Sequence, residues 1–195
     1  MSADADREIF IAVAARPRGA RRATVRPAGE RDGAGEAGSC PSPRVLLFNW
    51  HEPYLGLLAR AGGNFLVADW PRRWNPALHP LPPNARLLAG PEEAAALVAD
   101  GGVDLVLCQT AADLDWLGDR PAPTVFLAHN SLDNEVRGRA AGAARALAER
   151  VRARLARHGG RFVAISAMKL ASWGIEGVVI PPGLDLAEWG GWTGE

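Results

Sequence analysis

The chain has 195 residues, 48% of them apolar and 23% charged, enough to bury a single α/β core and too few for two. Acidic and basic residues balance at 22 each, so net charge gives no argument for a nucleic-acid partner. The two cysteines, Cys40 and Cys108, have no metal-ligand spacing and point to a reducing, cytoplasmic setting.

Residues 1–43 are rich in Ala, Gly, Arg and Pro. The apolar run at 9–15 is about half a membrane span, and Asp4, Asp6 and Glu8 precede it where a signal peptide carries positive charge. No sustained apolar periodicity follows, so the expectation is a disordered tail that can be removed up to Ser42 without lowering the unfolding temperature.

From Arg44 short apolar runs alternate with helical ones. Residues 45–48, 65–68, 103–107, 124–128, 162–165 and 178–180 read as buried parallel strands, with a weaker strand at 85–88. Helices are predicted over 54–61, 91–99, 113–117, 140–158 and 167–173. Pro91, with Glu92 and Glu93 behind it, suits a first helical turn. Such alternation predicts one Rossmann-like domain over 44–185, a doubly wound parallel sheet.

In sheets of this kind ligands bind beyond the carboxyl ends of the strands, where strand order reverses. The sequence puts polar residues there: Asn49-Trp50-His51-Glu52 after the first strand, Gln109-Thr110 after the central one, His129-Asn130 after the next and Ser166 after the last long one. An imidazole and a carboxylate as close as His51 and Glu52 suit a general base or the orientation of an acceptor hydroxyl, and Trp50 suits stacking on a sugar ring. Equally, Asn49 or Glu52 caps the helix starting near Tyr54, and Ser166 caps the helix over 167–173. The stretch 68–76, with Trp70, Arg72, Arg73 and Trp74, reads either as an acceptor loop or as a surface loop with packed aromatics.

Ser166 between a strand and a helix also invites comparison with the nucleophile elbow of hydrolases. Residues 164–168 lack both glycines of that turn, and no histidine follows Ser166, so the comparison fails.

The most specific motif is the run from Arg161-Phe162-Val163-Ala164-Ile165-Ser166 through Trp173-Gly174-Ile175 to Val178-Val179-Ile180-Pro181-Pro182-Gly183-Leu184-Asp185. It resembles the inter-domain junction of GT-B glycosyltransferases, especially the large retaining family 4, where this segment closes the N-terminal, acceptor-side domain. The resemblance covers about 140 residues, is strongest over 161–189, and departs at the first loop, where the family's glycine pair is missing. It implies transfer of a sugar from a nucleotide-sugar co-substrate to a glycan or lipid acceptor, with retention, no bound metal and no other cofactor. His129 follows the fifth strand where the family keeps a histidine that contacts the donor sugar, the catalytic role. Asn49, His51, Glu52, Gln109, Asn130 and Ser166 would then line the cleft and bind substrate. The family's donor-phosphate residues lie in its C-terminal half, so residues 186–195 read as the start of a linker, and this chain alone is expected to be inactive. A separately encoded donor-binding domain is one implied partner, and a non-catalytic acceptor-binding module is the competing reading.

Helix 140–158 places Ala144, Leu147, Ala148, Val151 and Leu155 on one face, with Arg145, Arg150, Arg152, Arg154 and Arg157 around the rest. Acceptor domains of the resembling family dock on anionic membrane through such basic faces, which would put the protein at the inner membrane surface; a solvated helix face is the simpler account.

Overall fold

A computed structural model describes residues 42–70 and 72–182. The tail over residues 1–41, the Gly183-Leu184-Asp185 exit and the 186–195 linker lie outside the described residues. Seven strands form one all-parallel sheet: β1 (Arg44–Phe48), β2 (Asn64–Ala68), β3 (Ala85–Leu87), β4 (Leu105–Cys108), β5 (Thr124–Ala128), β6 (Arg161–Ala164) and β7 (Val178–Val179). Their order is β3-β2-β1-β4-β5-β6-β7, the Rossmann-like α/β arrangement. Six helices connect them: α1 (Glu52–Ala59), α2 (Pro91–Ala99), α3 (Ala111–Leu117), α4 (Leu132–Glu135), α5 (Ala143–His158) and α6 (Ala167–Trp173).

Alternation of side chains along each strand splits the core into two layers. Leu46, Phe48, Val106, Phe126 and Phe162 face one layer, closed by Val98 of α2, Leu117 of α3, Val151 of α5 and Trp173 of α6. Val45, Leu47, Leu105, Leu107, Val125 and Val163 face the other, closed by Leu55 and Ala59 of α1 and by Trp74. The central strands β4 and β5 are buried along their whole length, which is why they read as unbroken apolar runs. Where α5 meets β6 the backbone runs so close that a Cβ on Gly160 would lie 2.3 Å from the Thr124 carbonyl oxygen.

Several expectations need correction. The fourth strand begins at Leu105, because Asp104 turns its carboxylate back onto the Arg44 amide at 2.8 Å. Helix α4 is one turn that no periodicity announced. His51, not Asn49 or Glu52, is the N-cap of α1; it makes no side-chain cap bond, and Pro53 occupies the first turn. Trp74 is buried with its indole donating to the His79 carbonyl at 2.8 Å, and Trp70 packs on Phe48 and Trp116, so the tryptophans of the proposed acceptor loop serve the core.

The arginines of α5 are largely engaged within the protein. Arg145 pairs with Glu149 at 2.8 Å, Arg157 with Asp119 at 2.6 Å and Arg150 with Asp115, while Arg152 donates to the Gly174 carbonyl. Arg154, placed by periodicity on the polar side, is buried and points inward. Among the described residues no helix is long and apolar enough to cross a membrane.

Candidate functional site

The strand order reverses between β1 and β4: the chain runs outward from β1 through β2 to β3, then returns to the far side of β1. Loops leaving β1 and β4 therefore diverge and leave a crevice at the carboxyl edge. The β1 loop supplies Asn49, Trp50 and His51, the β4 loop supplies Gln109 and Thr110, and β5 adds His129 beside them.

His129 is the centre of this cluster. Its Nε2 lies 3.0 Å from Gln109 Oε1, the Trp50 ring stacks on it with centroids 4.7 Å apart and planes 24° apart, and Tyr54 meets it edge-on at 4.4 Å. Only 7% of the residue is exposed, against 38% of Trp50, which forms the outer wall. Burial first, then the charges of Lys169 and His51, lowers the His129 pKa to about 4, so the ring is neutral at physiological pH. Among the described residues the buried side-chain polar atoms without a hydrogen-bond partner are Asn49 Oδ1 and His158 Nε2. Among the described residues no hydrogen-bond partner is seen for His129 Nδ1, and it is not one of these fully buried atoms.

Gln109 is held as firmly as the histidine. Its backbone amide donates to Asp113 Oδ2 at 2.7 Å, its side-chain amide donates to the Phe48 carbonyl at 3.4 Å, and the residue is buried. Thr110 and Asp113 form a reciprocal capping box at the start of α3, Thr110 donating to Asp113 Oδ2 at 2.9 Å and Asp113 donating to Thr110 Oγ1 at 3.3 Å. Burial raises the Asp113 pKa above its ordinary value, although the Gln109 and Thr110 amides pull the other way.

The structure places the remaining sequence candidates on either side of this cluster. His51 stands next to Trp50, their rings 5.7 Å apart. Glu52 is buried and faces away toward β2, where Arg72 Nη2 donates to its Oε2 at 3.3 Å and Arg72 Nη1 donates to the Trp50 carbonyl. Burial alone would raise Glu52; its own backbone amide, the Arg72 guanidinium and the Asn49 amide outweigh that and hold it below its ordinary value. Asn49 donates to the Arg72 carbonyl at 3.1 Å and keeps an orphan Oδ1. Asn130 donates to Glu135 Oε2 at 3.3 Å and accepts from the Trp173 indole at 3.0 Å. Ser166 is the N-cap of α6, its hydroxyl accepting from the Lys169 amide at 3.4 Å.

Two contributors escaped sequence reasoning. Tyr54 was read only as the start of a helix, and its placement three residues after His51, one turn from the cap, was the available signal. Arg72, which the sequence places in either an acceptor loop or a surface loop, clamps the β1 loop through Asn49, Trp50 and Glu52. A separate groove of about 650 Å³ runs between α1 and residues 79–84, walled by Pro53, Leu57, Pro80, Pro82 and Pro83, with Glu52 at its rim.

Comparison of the chain with models of protein families, with curated proteins and with solved structures finds no significant match.

Proposed function

We propose that this domain is the acceptor-side half of a GT-B glycosyltransferase, acting in transfer of a sugar from a nucleotide-sugar donor to a glycan or lipid acceptor. The observation that carries the reading is the pairing of a neutral imidazole, His129, with an exposed indole wall, Trp50, at the crevice where strand order reverses. An aromatic face packs against the C–H surface of a pyranose, and a neutral ring nitrogen bonds one hydroxyl without the cost of burying an ion. By the resemblance, His129 faces the donor sugar, Trp50 and His51 shape the acceptor side, and a second Rossmann-like domain supplies the nucleotide contacts.

A non-catalytic acceptor-binding module is the second reading, and one observation favours it: among the described residues the crevice carboxylates Glu52, Asp113 and Glu135 are engaged. Arg72 holds Glu52, the Gln109 and Thr110 amides hold Asp113, and the Ala111 amide and Asn130 hold Glu135.

The test is chemical-shift mapping of the full chain with UDP-, GDP- and ADP-sugars and with simple methyl glycosides, alongside a turnover assay. The expected result is a saturable shift of the Trp50 indole and the His129 ring at millimolar ligand, lost in Trp50→Ala. Shifts centred on the α1 groove, or none at all, would overturn the sugar-site reading. Turnover above a His129→Ala control would exclude the non-catalytic reading and would equally overturn the half-enzyme one, since this chain alone is expected to be inactive.

A further inference from the structure

The amide of Gln109 is oriented before any ligand arrives. Its Nε2 donates to the Phe48 carbonyl oxygen, and a flipped amide would set two oxygens against each other there. Oε1 therefore faces His129, and an oxygen at 3.0 Å with no proton to give requires His129 Nε2 to be the donor. The Gln109 backbone cannot rotate the arrangement away, because its amide is tied to the buried Asp113 carboxylate inside the α3 capping box. Trp50 stacks on the imidazole and Tyr54 packs perpendicular to it with centroids 4.4 Å apart, so the ring is confined on two sides.

We infer that Gln109 is a positioning residue that locks His129 in its Nε2–H tautomer, leaving Nδ1 as a fixed hydrogen-bond acceptor at the crevice. The inference deepens the sugar-site reading, and its ligand consequence rests on that reading: the group His129 selects is a hydroxyl that donates. A carboxylate or phosphate oxygen would meet the Nδ1 lone pair and be repelled. The charged and titratable groups around the ring are Lys169, His51 and Tyr54, and among the described residues the acceptor seen at hydrogen-bond distance from Nε2 is Gln109 Oε1.

Long-range ¹H–¹⁵N correlation of the histidine rings in the full chain tests this without any sugar present, the His129 signals being assigned by their loss in His129→Gln. The wild-type protein should show a pyrrole-like Nε2 and a pyridine-like Nδ1. In Gln109→Leu the acceptor is gone, and both nitrogens should move toward averaged values. Gln109→Glu loses the bond to the Phe48 carbonyl but keeps an acceptor oxygen facing Nε2, so it should keep the Nε2–H tautomer that Gln109→Leu loses and raise the pH at which His129 protonates, because a carboxylate at that position favours the imidazolium. If Gln109→Leu fails to fold, the Gln109→Glu titration decides. A wild-type Nδ1–H tautomer, an unchanged pattern in Gln109→Leu, or an unchanged His129 titration in Gln109→Glu would each overturn the assignment. A lock that holds while sugars shift neither Trp50 nor His129 would instead sink the sugar-site reading and leave the role of Gln109 standing.

Discussion

Arg154 offers the sharpest test of how the loop before β5 is held. Its residue is 8% exposed and, among the described residues, pairs with no carboxylate; it donates to the carbonyls of Gly118 at 2.7 Å, Arg120 at 2.6 Å and Ala122 at 3.2 Å, and to Thr124 Oγ1 at 3.3 Å. One guanidinium thus gathers the α3–β5 connection and sets the entry of the strand that ends at His129. Arg154→Met keeps the apolar stem and removes the donors. Gly118 and Arg120 lie near the surface, so water replaces the lost bonds there at a cost of about 1 kcal/mol each; the Ala122 bond is deeper and costs about 1–2 kcal/mol. Relief from burying a cation offsets part of this, leaving a net loss of about 2–3 kcal/mol, or roughly 6–12 °C in unfolding temperature for a domain of this size. Arg154→Lys, with one compact donor head in place of the fork, should fall between the two. Urea titration at fixed pH measures the difference directly. An Arg154→Met protein as stable as wild type, or more so, would show that desolvation cancels the bonds and that the loop is held by other contacts.

His129 should leave a signature in the pH dependence of stability. The folded ring protonates near pH 4 and the unfolded one near 6.5, so its contribution is complete above about pH 6.5, declines as pH falls through that window, and is flat below about 4; His129→Asn should lose that portion of the decline in a melting series from pH 7 to 4. Gly160→Ala should cost about 3 kcal/mol or more, since the new Cβ meets the Thr124 carbonyl oxygen at 2.3 Å in a ladder that cannot yield; a melting temperature within a degree or two of wild type would refute this. Trp173→Ala should cost about 3–5 kcal/mol through lost contact with Phe126 and Phe162. It should also speed amide exchange in the Asn130 loop, whose carbonyl the indole holds at 3.0 Å, and exchange that rises evenly over the whole domain would show that the anchor is not specific.

The fold was legible because parallel strands buried on both faces leave continuous apolar runs such as Thr124–Ala128, with no alternation to misread. Strand ends were harder. β4 starts two residues later and ends one residue later than expected, and its start follows a tertiary contact of Asp104 with Arg44 that local composition does not contain. Helix α4 has four residues, too few to show a period. The inward Arg154 was missed for a related reason: helical periodicity assigns charge to solvent, and only the carbonyls of the α3–β5 loop, 32 to 36 residues earlier in the chain, reverse that rule.

At the candidate site, sequence position indicated which residues reach the carboxyl edge but not which of them meet. Asn49, His51 and Glu52 are consecutive or nearly so, yet Arg72, arriving from the loop after β2, draws Asn49 and Glu52 to one side, while Trp50 and Tyr54 turn to His129 on the other. The partition follows from charge and solvation. A buried carboxylate needs a cation or several donors, and Arg72 is the cation within reach; a neutral imidazole tolerates aromatic walls and a single amide. Removing Arg72 should therefore disturb the two sides unequally. Arg72→Gln leaves the Glu52 carboxylate without its cation and frees the Trp50 carbonyl, so the β1 loop should loosen and Trp50 should become more accessible to acrylamide quenching. The Gln109–His129 pair, anchored by Phe48 and the α3 capping box, should keep its tautomer. A tautomer lost together with the loop would mean that the two sides form one cooperative unit and that the wall supplied by Trp50, more than the Gln109 amide, holds the ring in place.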